Sequence, residues 1–238
     1  MKSKITSLAL ALTAMAAPAF AGSITGTIKF EGTPPALKPV ELKADADPVC
    51  TAHRKDKPIQ NETLVLGEGQ TLGNILVEVI SGLPQKEFAP PTEPVVVTQE
   101  GCQYSPHVFA VQAGQPVKFL NPDGTMHNVN CMSKVNPPFN TGMPRDMKEK
   151  THVFEKPEAL FSLSCSVHPW MRAWCAVIAH PYFAITKADG TFTIDGLEPG
   201  EYEIRATHET TRLGSQTAKV TVTADKPGVA DFTFKMTK

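Results

Sequence analysis

Runs with apolar residues at every second position are common in this chain, and a repeat of three to four is hard to find beyond the first 21 residues. Ile24, Gly26, Ile28 and Phe30 alternate with polar neighbours, and Ile75 to Ile80 forms the core of a run from Leu72. Val95 to Val97, Val108 to Gln112 and Pro116 to Leu120 follow, the last two separated by Ala113-Gly114. Phe161, Leu163 and Cys165 alternate again, and Ala176 to Ala179 reads as a buried strand. A period of two places one set of side chains on one face of a strand, so the pattern predicts sheets. Asp189-Gly190, Asp195-Gly196 and Pro199-Gly200 punctuate the last third, and Asp-Gly between alternating residues signals a hairpin. The 21 prolines and 16 glycines weigh the same way, toward turns and against long helices. The fold class expected is all-β, built as sandwiches or barrels. Pro90-Pro91-Thr92-Glu93-Pro94 is a connector that marks a domain boundary, and Lys134 to Lys150, which has no clear period, reads as a long loop.

The first 21 residues follow a different rule. Lys2 and Lys4 precede an apolar run from Ile5 to Ala17, and Ala19-Phe20-Ala21 has the small-x-small form of a cleavage site. This reads as a secretory signal peptide cut after Ala21. The apolar run is shorter than the ~20 residues a membrane span needs, and Gly22 as the new first residue implies no lipid anchor. The short basic start and the Ala-x-Ala ending suggest a bacterial periplasm, an oxidising compartment in which disulfides persist. A net charge of −1 without a basic block argues against nucleic acid as a partner.

The chemistry is concentrated in Cys165-Ser166-Val167-His168-Pro169-Trp170-Met171. A thiol, an imidazole and a thioether stand at Cys-x2-His-x2-Met. Pro169 opposes a helix here and biases His168 toward extended backbone, so the segment is a tight loop leaving a strand, and such a loop lets three donors converge on one ion. The missing donor is a second imidazole. His127 supplies it, just past the turn Asn121-Pro122-Asp123-Gly124 that ends a strand. Two imidazoles, one thiolate and a weak axial thioether make a blue-copper electron-transfer set.

These residues bring residues 95 to 180 into resemblance with the cupredoxins, with an amicyanin-like ligand loop. Pro106-His107-Val108 through Lys118-Phe119 is similar to the strands that precede the first ligand in that family, and His127-Asn128 to its ligand histidine and following asparagine. The resemblance implies one type 1 copper held by His127, Cys165, His168 and Met171. It also implies that Asn128 ties the two ligand loops together. Residues 183 to 205, with Asp189-Gly190-Thr191-Phe192 and Leu197-Glu198-Pro199-Gly200, resemble the carboxypeptidase regulatory-like, transthyretin-like sandwich, as does the opening Ile24-Thr25-Gly26-Thr27-Ile28. The organisation expected is a signal peptide over 1–21, a Greek-key cupredoxin sandwich over 95–180, and a second small sandwich made of 22–94 and 181–238.

With Cys165 reserved for copper, four of the five cysteines remain, and four allow three pairings. Cys131 and Cys175 each lie four residues beyond a ligand, which favours Cys131–Cys175 with Cys50–Cys102. The leading function is a periplasmic one-electron carrier, not an enzyme, since no catalytic triad or peptidase arrangement can be placed. Trp170, beside His168, would form an apolar rim for transient docking of a redox protein. A copper trafficking or storage protein using Met126, Met132, Met143 and Met147 is the alternative, and a metal-free sandwich for binding or adhesion a third.

Overall fold

The period-two segments become strands; Ile24, Ile28 and Phe30 are buried between more exposed neighbours, whereas Val108–Gln112 is buried along its whole length. The computed structural model describes residues 22–42 and 47–237; the signal-peptide reading of residues 1–21 lies outside the described residues. In chain order the elements are β1 (Gly22–Glu31), α1 (Pro48–Arg54), β2 (Leu76–Ser81), β3 (Val95–Thr98), β4 (Val108–Gln112), β5 (Pro116–Leu120), β6 (His127–Cys131), β7 (Phe139–Met143) and β8 (Glu149–Val153). They continue as β9 (Glu158–Ser164), β10 (Arg172–Ile178), β11 (Phe183–Ile185), β12 (Thr191–Leu197), β13 (Gly200–Thr207), β14 (Ser215–Val222), β15 (Gly228–Val229) and β16 (Phe232–Lys235). The protein is all-β, in two sandwiches.

The first sandwich joins the beginning and the end of the chain. One of its sheets centres on β1, which pairs antiparallel with β12 and parallel with β15 and β16; the other runs β11-β2-β13-β14. Ile24, Ile28, Val77, Phe192, Ile194, Ile204 and Phe234 fill the space between them. Gly26 shows why a side chain is excluded at the centre of β1. A Cβ there would lie 1.9 Å from the Ala230 carbonyl oxygen, far inside contact distance.

The second sandwich, cupredoxin-like, is made of a five-stranded sheet in the order β4-β10-β9-β6-β7 and a three-stranded sheet β3-β5-β8. The chain passes back and forth between these sheets, so sequence neighbours such as β5 and β6 face each other across the core. Val97, Val117, Phe119, Val129, Phe154, Leu163 and Ala173 are buried there, in the same cluster as Cys165 and Met171. Leu76, Ala110, Ala176 and Ile178 form a smaller apolar junction where the two sandwiches meet.

Three expectations change. Lys134 to Lys150 is not one long loop, since it carries β7 and the start of β8. Both are edge strands with half-exposed or exposed residues, and an edge strand facing water on most positions shows no period of two. Residues 47 to 62, placed by sequence in the first sandwich, cross to the second: α1 presents Cys50 to the core around Phe119 and bonds it to Cys102. The expected Cys131–Cys175 bridge is absent. Cys131 ends β6 and Cys175 lies in β10, with β9 running between them: Cys131 pairs with Leu163 and Cys175 with Phe161. Two strand spacings put the pair about 10 Å apart, beyond the ~7 Å at which Cα atoms can be bridged. Cys131, Cys165 and Cys175 are buried free thiols.

The thiol count checks this arrangement. Unreduced, denatured and metal-free protein should titrate three thiols per chain, with peptide mapping linking Cys50 to Cys102. A single titratable thiol would restore the Cys131–Cys175 bridge.

Candidate metal centre

The turn after β5 builds the first half of the centre. Asn121, buried at the end of that strand, donates its amide to the carbonyl oxygens of Thr125 at 3.0 Å and Met143 at 2.8 Å. This closes the turn and starts β6 at His127, whose side chain is fully buried. The loop between β9 and β10 builds the second half. Met171 N–H donates to the His168 carbonyl at 2.9 Å and Cys165 N–H to the Met171 carbonyl at 3.2 Å. That pair of bonds folds Cys165 to Met171 into the tight loop that Pro169 implied.

The two halves meet. His127 Nδ1 and His168 Nδ1 are 2.9 Å apart, and Cys165 Sγ is 3.9 Å from His168 Nδ1. The ligand atoms of His127, Cys165 and His168 all lie within 4.8 Å of one another. Two imidazole nitrogens at about 2.0–2.1 Å from one ion stand roughly 3.3 Å apart at tetrahedral angles, so little movement is needed to hold a metal. The site donors are 0% to 2% exposed, Met171 included. Asn128 bridges the halves: Ser166 N–H donates to its side-chain oxygen at 2.5 Å, and its amide also contacts Ser166 Oγ at 3.3 Å. Tyr104 O–H, buried, donates to the Asn128 carbonyl at 2.5 Å.

Hydrogen bonding sets the electrostatics. Burial alone would raise the Cys165 thiol, but hydrogen bonding to His127 and His168 outweighs it and brings the thiol down to about 6. His168 N–H adds a bond to the sulfur at 3.3 Å. Cys131 and Cys175, equally enclosed but without imidazole partners, are raised by burial instead. Only Cys165 is therefore prepared as an anionic sulfur ligand.

The sequence reading missed Asp123. Its carboxylate accepts from His127 Nε2 at 2.9 Å and from the backbone N–H groups of Gly101 at 2.9 Å and Cys102 at 2.8 Å. A carboxylate only accepts, so Nε2 carries the proton and His127 Nδ1 is left to bind metal. Burial works against the charge, yet those hydrogen bonds outweigh it and lower the Asp123 carboxyl to about 2. Its place four residues before His127 was the available signal. The second missing element is the cover over His168. Cys50 Sγ lies 3.5 Å from His168 Nε2 and Asp47 Oδ2 lies 4.0 Å from it. Asp47 caps α1 through Val49 N–H and accepts from Thr125 Oγ1 at 2.5 Å, while Arg54 donates to the Gly101 carbonyl. The imidazole edge of His168 is thus sealed by a disulfide-tethered helix. Trp170 is half-buried, donates to the Cys102 carbonyl at 3.0 Å and lies 5.1 Å from the His168 ring. It packs against the apolar core that holds Cys165 and Met171, and it lines a cleft together with Val40, Ile59 and Gln103.

Comparison with known proteins adds the following. A family model described as the second β-sandwich domain of a BOS complex subunit NOMO1-like protein matches residues 182–235, within the first sandwich. Among curated proteins no match is found. Among solved structures, a copper-containing nitrite reductase from Thermus scotoductus is 25% identical over 41% of this chain, at a TM-score of 0.33, and the match spans only 24% of that enzyme's chain. The Cu(I) form of an amicyanin variant is 20% identical over 42% of this chain and 97% of its own, also at 0.33. A purple cupredoxin from Nitrosopumilus maritimus is 25% identical over 35% of this chain and 98% of its own, at 0.27. The strand order and the ligand geometry, not these likenesses, are what support a cupredoxin-like site.

Two measurements probe the centre. Metal binding to the apo protein at about pH 5 should release about one proton, since the Cys165 thiol, brought down to about 6, still holds its proton there and takes the ion as thiolate; calorimetry in buffers of different ionisation enthalpy reads it. Asp123→Asn should weaken metal binding roughly 10- to 100-fold. The Asp123 carboxyl is depressed on folding, so its contribution of about 2 kcal/mol to apo stability exists above its ordinary pKa and is lost as pH falls toward 2. Acid melts should show that slope in the wild type and not in Asp123→Asn.

Proposed function

We propose that this chain is a periplasmic one-electron carrier with a single type 1 copper held by His127, Cys165, His168 and Met171, and that it is not an enzyme. The observation that carries this is the convergence of two imidazole Nδ1 atoms and a thiol lowered by them, all buried. Thiolate and thioether suit Cu(I) and imidazoles suit Cu(II), so copper bound there supplies a one-electron couple. The chain's part is to hold the ligands still. Asn128 joins the two ligand loops, Asp123 orients His127, and the Asp47–Arg54 cover excludes water from His168. Zinc would accept the same imidazoles and thiolate, and the spectrum separates the two.

The cover also favours this reading over the trafficking alternative. A trafficking protein must hand over its ion, and these ligands lie beneath a disulfide-tethered helix. Of the four methionines, Met126, Met132 and Met147 are exposed, but Met143 is fully buried and accepts from the Gln99 amide at 3.0 Å. Docking of a redox partner falls to the ligand-loop face that carries Val167, 45% exposed, and Met126, 47% exposed, each next to a ligand histidine.

Copper-loaded protein should be intensely coloured, and Cys165→Ser should remove the band while Met171→Gln keeps copper and shifts the potential. A visible band that survives Cys165→Ser would falsify the assignment. Replacing Cys50 and Cys102 together by Ser should speed copper extraction by a chelator roughly 30- to 700-fold. A bridge closing a loop of this size contributes about 2–4 kcal/mol, and each 1.4 kcal/mol is tenfold. An unchanged extraction rate would show that the disulfide does not hold the cover shut.

A further inference from the structure

A cleft of about 330 Å³ opens where the two sandwiches meet, beside the ligand loop. Its position follows from β10. Ala173 and Cys175 are fully buried in the core, so Arg172 and Trp174, at alternate positions, take the outer face. Trp170 adds a second half-buried ring, Glu62, Gln103, His107 and Glu209 are among the polar residues of the lining, and Val40 and Ile59 add apolar surface. The cleft thus draws on the crossing segment, on the copper-site sandwich and on the loop after β13. None of these residues donates to the metal centre.

The lining is charged but balanced. His107 and Glu209 are more than nine-tenths buried, with His107 Nε2 2.6 Å from the Glu209 carboxylate and Nδ1 3.2 Å from the Arg172 carbonyl. Burial alone would lower the imidazole pKa, but Glu209 outweighs it and raises it, which favours an imidazolium that donates from both nitrogens. Glu62 accepts from the Gln103 amide at 2.5 Å. Arg172 is exposed and forms no ion pair among the described residues. Two carboxylates therefore face one imidazolium and one guanidinium. An anion would meet Glu62 and Glu209, and a cation would meet His107 and Arg172. A wholly apolar ligand would strip water from these groups and return no hydrogen bond.

What remains is a neutral molecule with donors and acceptors around its rim and apolar faces to lay on indole rings. We propose that this cleft binds a neutral saccharide, with Trp170 and Trp174 as stacking surfaces and Arg172, Glu62 and Gln103 as hydroxyl partners. A concave site at a domain junction, with aromatic walls and a few convergent polar groups, is the form small-molecule sites take. The proposal uses no copper ligand and stands whether or not the metal reading does.

The test uses the full mature chain without copper. Cellotriose, maltotriose and tri-N-acetylchitotriose are the neutral probes, with trigalacturonate and chitosan trimer as anionic and cationic comparators. Tryptophan emission and calorimetry should show saturable one-to-one binding of at least one neutral trisaccharide, at least about tenfold tighter than either charged comparator. Trp174→Ala should abolish it. That variant should keep the thermal melting and the copper spectrum of the wild type, and Arg172→Gln, which cannot disturb the core, should weaken binding as well. Absence of binding by all three neutral probes up to about 10 mM overturns the proposal. So does equal binding of a charged comparator, or binding that Trp174→Ala and Arg172→Gln both leave unchanged.

Discussion

One buried carboxylate connects the parts of the metal centre. Asp123 fixes the proton of His127 on Nε2, and with its remaining acceptor capacity it takes two consecutive backbone N–H groups, those of Gly101 and Cys102. Both residues hold positive φ, 62° and 58°. For Cys102 that conformation is costly in isolation, and it persists because the carboxylate rewards the two aligned N–H groups and the bridge to Cys50 anchors the side chain. The orientation of one ligand imidazole and the position of the cover over the other therefore depend on the same oxygen atoms.

The covered His168 edge gives the centre a direction. With Cys50 and Asp47 against Nε2, water and small chelators reach the imidazole only if α1 moves, and α1 is held at its start by Asp47, at its middle by the disulfide and at its end by Arg54. Three tethers on a seven-residue helix replace the packing that so short a helix cannot supply for itself. A rigid, dry frame of this kind holds one ligand geometry for two oxidation states. The cost is that the site is closed to anything needing direct access to the metal, which fits electron transfer better than delivery of the ion.

The two sandwiches are joined by more than a linker. The chain enters the first, contributes the cover to the second through residues 47–62, returns through β2, and only then builds the second. The junction holds apolar contacts around Leu76 and Ile178 beside the buried pair of His107 and Glu209, one from each sandwich. An apolar seam with one charge pair specifies a relative placement, because sliding the sandwiches would leave both charges buried and unpaired.

How much of this was legible follows from distance along the chain. The all-β class was readable because alternation is a local property, and β1, β2 and β12 lie close to where the apolar runs put them. The loop of Cys165 to Met171 was readable because its donors are six residues apart and Pro169 dictates its shape. β7 and β8 were not, since edge strands bathed in water carry no alternation. The Cys131–Cys175 pairing failed for a related reason: proximity of each cysteine to a ligand said nothing of β9 between them. Asp123, the cover and the crossing of residues 47–62 could not be read at all. They depend on which backbone N–H groups and which imidazole edge arrive beside a given side chain, and that is settled only when strands distant in sequence pack. By itself the sequence determined most of the strands, the turns and a set of candidate donors. The tertiary structure decided which donors are dry, which nitrogen is free and which edge is sealed, because burial and hydrogen-bond partnership are properties of the assembled core.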